Sequence, residues 1–235
     1  MTSLFHQFRI RTLTAVFICS VSCCAVAGGI TVGGTRIVYP ASAKQTDVSV
    51  RNTSEHSTYL VQSWVEDEKG EKSSDFIVTP PLYVSAPGNE NLLRLMHTGQ
   101  SLPPDRETLY YFNAKAIPSV DKAQAEGKNL LLFAAITRIK LFVRPSGLTP
   151  SVGDAQAKLA FSQKANHLII TNPTPYYLTL TGVSSGGNRL QDAMVPPFGA
   201  VSEPLSHGTV TSVDYHTIND FGAVTPSHHA SVKQG

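Results

Sequence analysis

The segment NLLLFAAITRIKLFVRP, Asn129 to Pro145, decides how the rest of the chain is read. From Leu130 to Ile136 every residue is apolar, and from Arg138 onward cations alternate with apolar residues. A period of two belongs to an extended strand, so Arg138, Lys140 and Arg144 share one face while Ile139, Leu141 and Val143 share the other. That cationic face also suits an ordinary exposed amphipathic strand. The apolar run before it does not, because both of its faces are hydrophobic and only one can meet the domain's own core. An edge strand with an apolar outer face is an aggregation hazard unless a partner covers it.

Working outward, short apolar or alternating segments recur, broken by Gly, Pro, Asn and Ser, and sustained helical periodicity is almost absent. The expected strands are Ile30 to Tyr39, Asp47 to Asn52, Thr58 to Glu66, Phe76 to Val78, Leu82 to Val84, Asn91 to Leu95, Thr108 to Ala114 and Leu130 to Phe142. A second series runs Ala157 to Phe161, His167 to Asn172, Tyr176 to Val183, Val201 to Leu205 and Thr209 to Tyr215. The fold class is all-β, and the spacing suggests antiparallel sandwiches. A sandwich of this kind takes about 100 residues, so the length divides into two, parted near Arg144 to Pro150 where two prolines and a glycine interrupt pairing. The domains are then 28–146 and 147–235, with a cleft between them. Ser119 to Asn129 is polar and reads as a surface loop, with a helical turn as the alternative. No internal sequence repeat is visible.

At the N-terminus, Arg9 and Arg11 precede an apolar stretch from Leu13 to Val21, then Ala25 and Ala27. This is the pattern of a secretory signal peptide, 1–27, cut near Ala27. All three cysteines, Cys19, Cys23 and Cys24, leave with it, so the mature fold has no disulfide to lean on. Of the 19 Lys and Arg, two lie in that segment, leaving 17 against 17 Asp and Glu. A formally neutral chain has no basic footprint for nucleic acid. Nor is there an apolar run of the roughly 18 residues that membrane insertion needs.

Catalytic and cofactor motifs are missing from the sequence. Gly28-Gly29 and Gly33-Gly34 fit neither phosphate-binding pattern, and no nucleophile elbow is present. His207, His216, His228 and His229 lack metal-site spacing, so no metal or other cofactor is expected. A Ser-His-Asp triad is not recognisable from linear order alone. Asp105-Arg106-Glu107 reads as an ion pair, and Asn52-Thr53-Ser54 is a glycosylation sequon in a eukaryotic host.

The segments GTRIVYP (34–40), QSWVED (62–67), TPPL (79–82), LPPDRETLYYFNAKAIP (102–118), TRIKLFVRP (137–145), NPTPYY (172–177) and INDFG (218–222) follow one another in an order that resembles the periplasmic pilus chaperones of the chaperone-usher pathway. The resemblance implies two immunoglobulin-like domains arranged as an L, and no enzyme. It implies as partners a pilin that lacks its last strand and an outer-membrane usher that receives it, in the periplasm and without ATP. Arg36 and Lys140 match the cations that hold the pilin's C-terminal carboxylate. Leu131, Phe133, Ala135 and Thr137 match the strand donated to the pilin groove, and Glu107, Arg144 and Asp220 match an inter-domain ion network.

With odd-numbered donors, Leu132 is expected inside the first domain; a shift of one residue reverses the two sets. Ala135 is a smaller plug than the family usually offers, and the segment after Phe221 is short and polar. The lack of mature cysteine points to the short-loop branch. Free chaperones can cap their exposed strands by dimerising. The rival reading is a structural or adhesive surface protein of two such domains, which explains neither the paired cations nor the doubly apolar strand.

Overall fold

The computed structural model describes residues 28–120, 131–205 and 208–235. The proposed signal peptide, most of the polar loop and His207 lie outside the described residues. Among the described residues of the first unit the strands are β1 (Ile30–Val32), β2 (Arg36–Pro40), β3 (Thr46–Asn52), β4 (Tyr59–Glu66), β5 (Phe76–Thr79), β6 (Leu82–Ser85), β7 (Glu90–His97), β8 (Thr108–Pro118) and β9 (Ala135–Arg144). One sheet runs β1-β3-β7-β5 and the facing one β2-β9-β8-β4-β6. Between them lies a core in which Phe76 meets Tyr39 and Tyr110 edge-to-face at 5.6 and 5.0 Å, beside fully buried Phe112 and Leu141.

The second unit opens with a short helix α1 (Val152–Ala155), capped where Ser151 Oγ accepts from the Asp154 amide. Its strands are β10 (Ala160–Lys164), β11 (His167–Thr171), β12 (Leu178–Ser185), β13 (Asn188–Arg189), β14 (Ala193–Val195), β15 (Ala200–Pro204), β16 (Ser212–Thr217) and β17 (His228–Gln234). They run β13-β12-β16-β17-β10-β11-β15, with β14 beside β12. The path is continuous because β17 changes neighbour midway: Ser231 still faces Ser212 of β16, and Val232 already pairs in parallel with Phe161 of β10. This unit has its own core around Leu168, Ile170, Leu180, Val213 and Tyr215. Each large apolar side chain so buried contributes about 1.5–3 kcal/mol before the cost of ordering the chain.

Several expectations need correction. The strand expected at Ile30 to Tyr39 is two strands in different sheets, separated at Gly33-Gly34-Thr35, where Gly34 has φ 102°. β1 pairs with β3, whereas β2 pairs in parallel with β9 from Arg36↔Lys140 to Pro40↔Arg144. Because the chain leaves that line before Arg36, among the described residues β8 alone pairs with β9 from Ala135 to Ile139. The strand expected from Leu130 begins at Ala135 and runs on to Arg144; among the described residues Leu131 to Ala134 have no ladder partner. Ala157 lies in a 3-10 turn (Gln156–Lys158) and not in a strand. The polar tail contains the well-formed strand β17, in which Val232 is buried.

A structural repeat also exists where the sequence shows none. At the end of β3, Asn52 Nδ2 donates to the carbonyls of Ser57, Ser85 and Ala86, and its Oδ1 accepts from the Ser54 amide. Just past β11, Asn172 Nδ2 donates to the carbonyls of Tyr176, Val195 and Pro196, and its Oδ1 accepts from the Thr174 amide. Both residues are fully buried, so Asn52 belongs to a backbone clamp and is closed to glycosylation.

Candidate functional site

β9 carries the site, and its two faces divide the work. Ile139, Leu141 and Val143 point into the first core, while Arg138, Lys140, Phe142 and Arg144 share the outer face. Phe142 is only 2% exposed there, because Tyr177 of the second unit stacks on it at 5.7 Å. The parallel pairing of β2 brings Arg36 directly beside Lys140. Two cations therefore stand side by side where the second unit meets this sheet.

Their partners are neutral. Arg36 Nη1 donates to the Ile218 carbonyl at 3.0 Å, and Lys140 Nζ to Thr179 Oγ1 at 3.1 Å. The buried Arg36 Nε has no hydrogen-bond partner. Burial pushes the Arg36 pKa down, against the pull of Asp220 and Glu107. It pushes the Lys140 ammonium down as well, helped by repulsion from Arg36. Lys140, Thr179, Met194, Asp192 and Ile218 line a recess of 260 Å³. Lys140 opens into this recess, Arg36 stands next to it in the ladder, and a pair of half-buried cations with no bonded anion suits a carboxylate.

Glu107, Arg144 and Asp220 do come together. Arg144 Nε donates to Glu107 Oε1 at 2.6 Å, while Nη1 and Nη2 donate to the two Asp220 oxygens at 2.6 and 2.7 Å. Glu107 is buried, and its second oxygen accepts the Tyr177 amide at 2.8 Å. Burial raises the Glu107 pKa, with Arg144 and that amide pulling it back. For Arg144 desolvation is the largest single influence and lowers its pKa; the bonds to Asp220 and Glu107 together outweigh it, and the net shift is upward. The cluster ties the residue before β8, the end of β9 and the 218–222 loop together, and each of its four carboxylate oxygens accepts a hydrogen bond within it. Arg106, by contrast, pairs with Asp105 at the surface. Gly222 completes the joint: its φ is +83°, and a Cβ there would collide with Thr35 Oγ1.

The residues matched to the donated strand are the most exposed large apolar groups of the first unit, Leu131 at 78% and Phe133 at 75%. Ala135 is exposed and Thr137 half-buried. All four are odd-numbered, the parity of the first core, yet they lie past its last row. Leu132 is itself 57% exposed, which corrects the expectation that it is held in the core. The histidines are spread out, His229 against Asp214 and His216 against the Thr225 carbonyl. Among the described residues no group of three or more His, Cys, Asp or Glu could hold a metal, and no helix is long and apolar enough to cross a membrane.

Residues 29–149 match the family described as pili and flagellar-assembly chaperone, PapD N-terminal domain, and residues 154–229 match the pili assembly chaperone PapD, C-terminal domain. The chain is 47% identical over 199 residues to the chaperone protein FimC of Escherichia coli K12, spanning 84% of this chain and 82% of FimC. With the probable fimbrial chaperone SfmC of the same organism it shares 45% over 200 residues, 85% and 87% of the two chains. The crystal structure of the periplasmic chaperone SfaE superposes with a TM-score of 0.75 at 40% identity, covering 87% of this chain and all of that one. A chain from the complex of the Salmonella enterica SafA pilin with the SafB chaperone gives 0.78 at 29%, covering 86% and 96%.

Proposed function

Given that the chain belongs to the PapD family of pilus-assembly chaperones, we propose that it holds a pilin in the periplasm by lending it β9 and then passes it to an outer-membrane usher. The observation that carries this reading is the pair Arg36 and Lys140, set where the unpaired edge of β9 begins. The line of β2, extended back beyond Arg36, runs along Ile139 to Ala135. A partner strand in that line whose C-terminal carboxylate meets the two cations must run in the direction of β2, and so parallel to β9. Its carboxylate gains charge-assisted hydrogen bonds worth about 1.5–3 kcal/mol each.

Leu131, Phe133, Ala135 and Thr137 then enter the groove of the incomplete pilin, where each large side chain contributes about 1.5–3 kcal/mol. The Glu107, Arg144 and Asp220 network fixes the joint between domains that divide at Ser146 and Gly147. Cleavage near Ala27 leaves the exported chain starting at Gly28. The test is capture of co-expressed pilin from periplasmic extract. Arg36→Ala and Lys140→Ala are expected to lose the subunit and stay folded by circular dichroism; a wild-type yield of subunit from both sinks the reading.

A further inference from the structure

The two halves of β9 live in unequal circumstances. Lys140 to Val143 lies between β8 and β2, whereas among the described residues Ala135 to Ile139 is held by β8 alone. A strand tethered on one side frays and twists more freely than one tethered on both. The second half must nonetheless lie straight for another strand to pair along it.

A cluster on the outer face acts at this point. The Arg138 guanidinium carbon sits 3.9 Å from the centre of the Tyr111 ring, and Nη2 lies 3.2 Å from Glu66 Oε2. The other Glu66 oxygen accepts from Trp64 Nε1 at 2.8 Å. In register, Arg138 opposes Asn113, which opposes Trp64, while Tyr111 stands between Lys140 and Glu66. Arg138 thus reaches diagonally across β8 to β4, and the cluster spans three adjacent strands. Asn113 at its centre is 1% exposed although it belongs to the outer face. An exposed ion pair on a flexible stem contributes little. Here the planar guanidinium is fixed by the ring beneath it and a carboxylate at its rim, and the indole fixes that carboxylate in turn.

On the reading of β9 as the donated strand, the geometry points to Trp64, Glu66, Tyr111 and Arg138 as a brace that keeps residues 135–139 extended and in line for the incoming strand. These are positioning residues. The carboxylate site belongs to Arg36 and Lys140, and Arg138 acts through the backbone it straightens. A lysine at 138 keeps the charge and loses the flat stack on Tyr111, so it restores the brace only in part.

The test uses the exported chain with Arg138→Ala and Arg138→Lys. Amide exchange by NMR is expected to quicken about tenfold at 135–139 in Arg138→Ala, and less in Arg138→Lys, with 140–144 unchanged. A labelled peptide of about ten residues, alternating Val and Thr and ending in a free carboxylate, serves as the strand probe, with its amidated form as control. Association with Arg138→Ala should slow about fivefold while the preference for the free acid over the amide is kept. Unchanged exchange at 135–139 overturns the brace. Loss of the free-acid preference also overturns it, since that assigns Arg138 to the carboxylate site itself. If the wild-type protein shows no such preference, the anion site falls, and the exchange result still decides the brace independently.

Discussion

The last strand of each domain occupies the same place and carries opposite side chains past its core. β9 pairs in parallel with the first domain's β2, and β17 pairs in parallel with the second domain's β10. Both domains also clamp their turns with a buried asparagine, Asn52 or Asn172. β9 is preceded by Leu131, Leu132 and Phe133, all exposed beyond the core, whereas in β17 the one large aliphatic residue, Val232, is buried among polar neighbours. A sandwich edge is dangerous or harmless according to what the last strand carries past the core. The scaffold is common to both, and it is the overhang that the proposed function uses as a donor.

The sharpest way to break this contrast is to place an aspartate in each strand. Val232→Asp leaves a charge in the second core with no partner and should cost about 3–5 kcal/mol, read as loss of the urea transition of that domain. Phe133→Asp should leave the melting temperature of the free protein nearly unchanged while abolishing subunit capture. If Phe133→Asp unfolds the first domain, the overhang is not free. Next in size come the clamps. Asn52→Ala and Asn172→Ala each bare three carbonyls, at about 1–3 kcal/mol for each one that water fails to reach. The two losses in urea titrations should be similar; a large inequality breaks the equivalence of the domains.

Gly222→Ala tests the joint. The left-handed φ costs about 1–2 kcal/mol for any other residue, and contact with Thr35 adds to it. Calorimetry should show the two domains melting less cooperatively, and unaltered cooperativity speaks against a rigid joint. The smallest effect is a gain. Lys140 is desolvated without a bonded anion, so Lys140→Met should raise the midpoint of the free protein, each kcal/mol relieved giving about 2–4 °C, while abolishing capture. Burial lowers the Lys140 pKa below its ordinary 10.5, so between the two values the unfolded chain binds more protons and stability climbs with pH. That climb should vanish in Lys140→Met, and its persistence would assign it to another group.

Period-two alternation made the cationic face of β9 legible, because it is a property of neighbouring residues. Where β9 starts was not legible, since the apolar run from Leu130 looks like strand and only the absence of neighbours ends the ladder. Gly33 and Gly34 were in plain view as unusual glycines; their work is to send β1 and β2 into different sheets, which depends on strands far along the chain. β17 escaped because a strand that divides its pairing between two neighbours needs few buried side chains. The asparagine clamps share little local sequence, and their signature is three distant carbonyls. Arg36, Lys140, Glu107, Arg144 and Asp220 were legible through family resemblance and not through chemistry visible in the chain. Trp64, Glu66 and Arg138 became a unit only when β4, β8 and β9 lay side by side.

The hydrogen bond from Arg36 to the Ile218 carbonyl has a thermodynamic consequence. On the function proposed above, a carboxylate arriving at this guanidinium meets two kinds of donor: N–H groups that Arg36 leaves unused, Nε among them, and Nη1, which already holds a backbone oxygen. At the unused donors the charge-assisted bond is a full gain; at Nη1 the net return is only the difference between that bond and a carbonyl one. On departure the Ile218 carbonyl is at hand to take Nη1 back. That part of the grip is built on exchange, and what is held by exchange is let go at little cost.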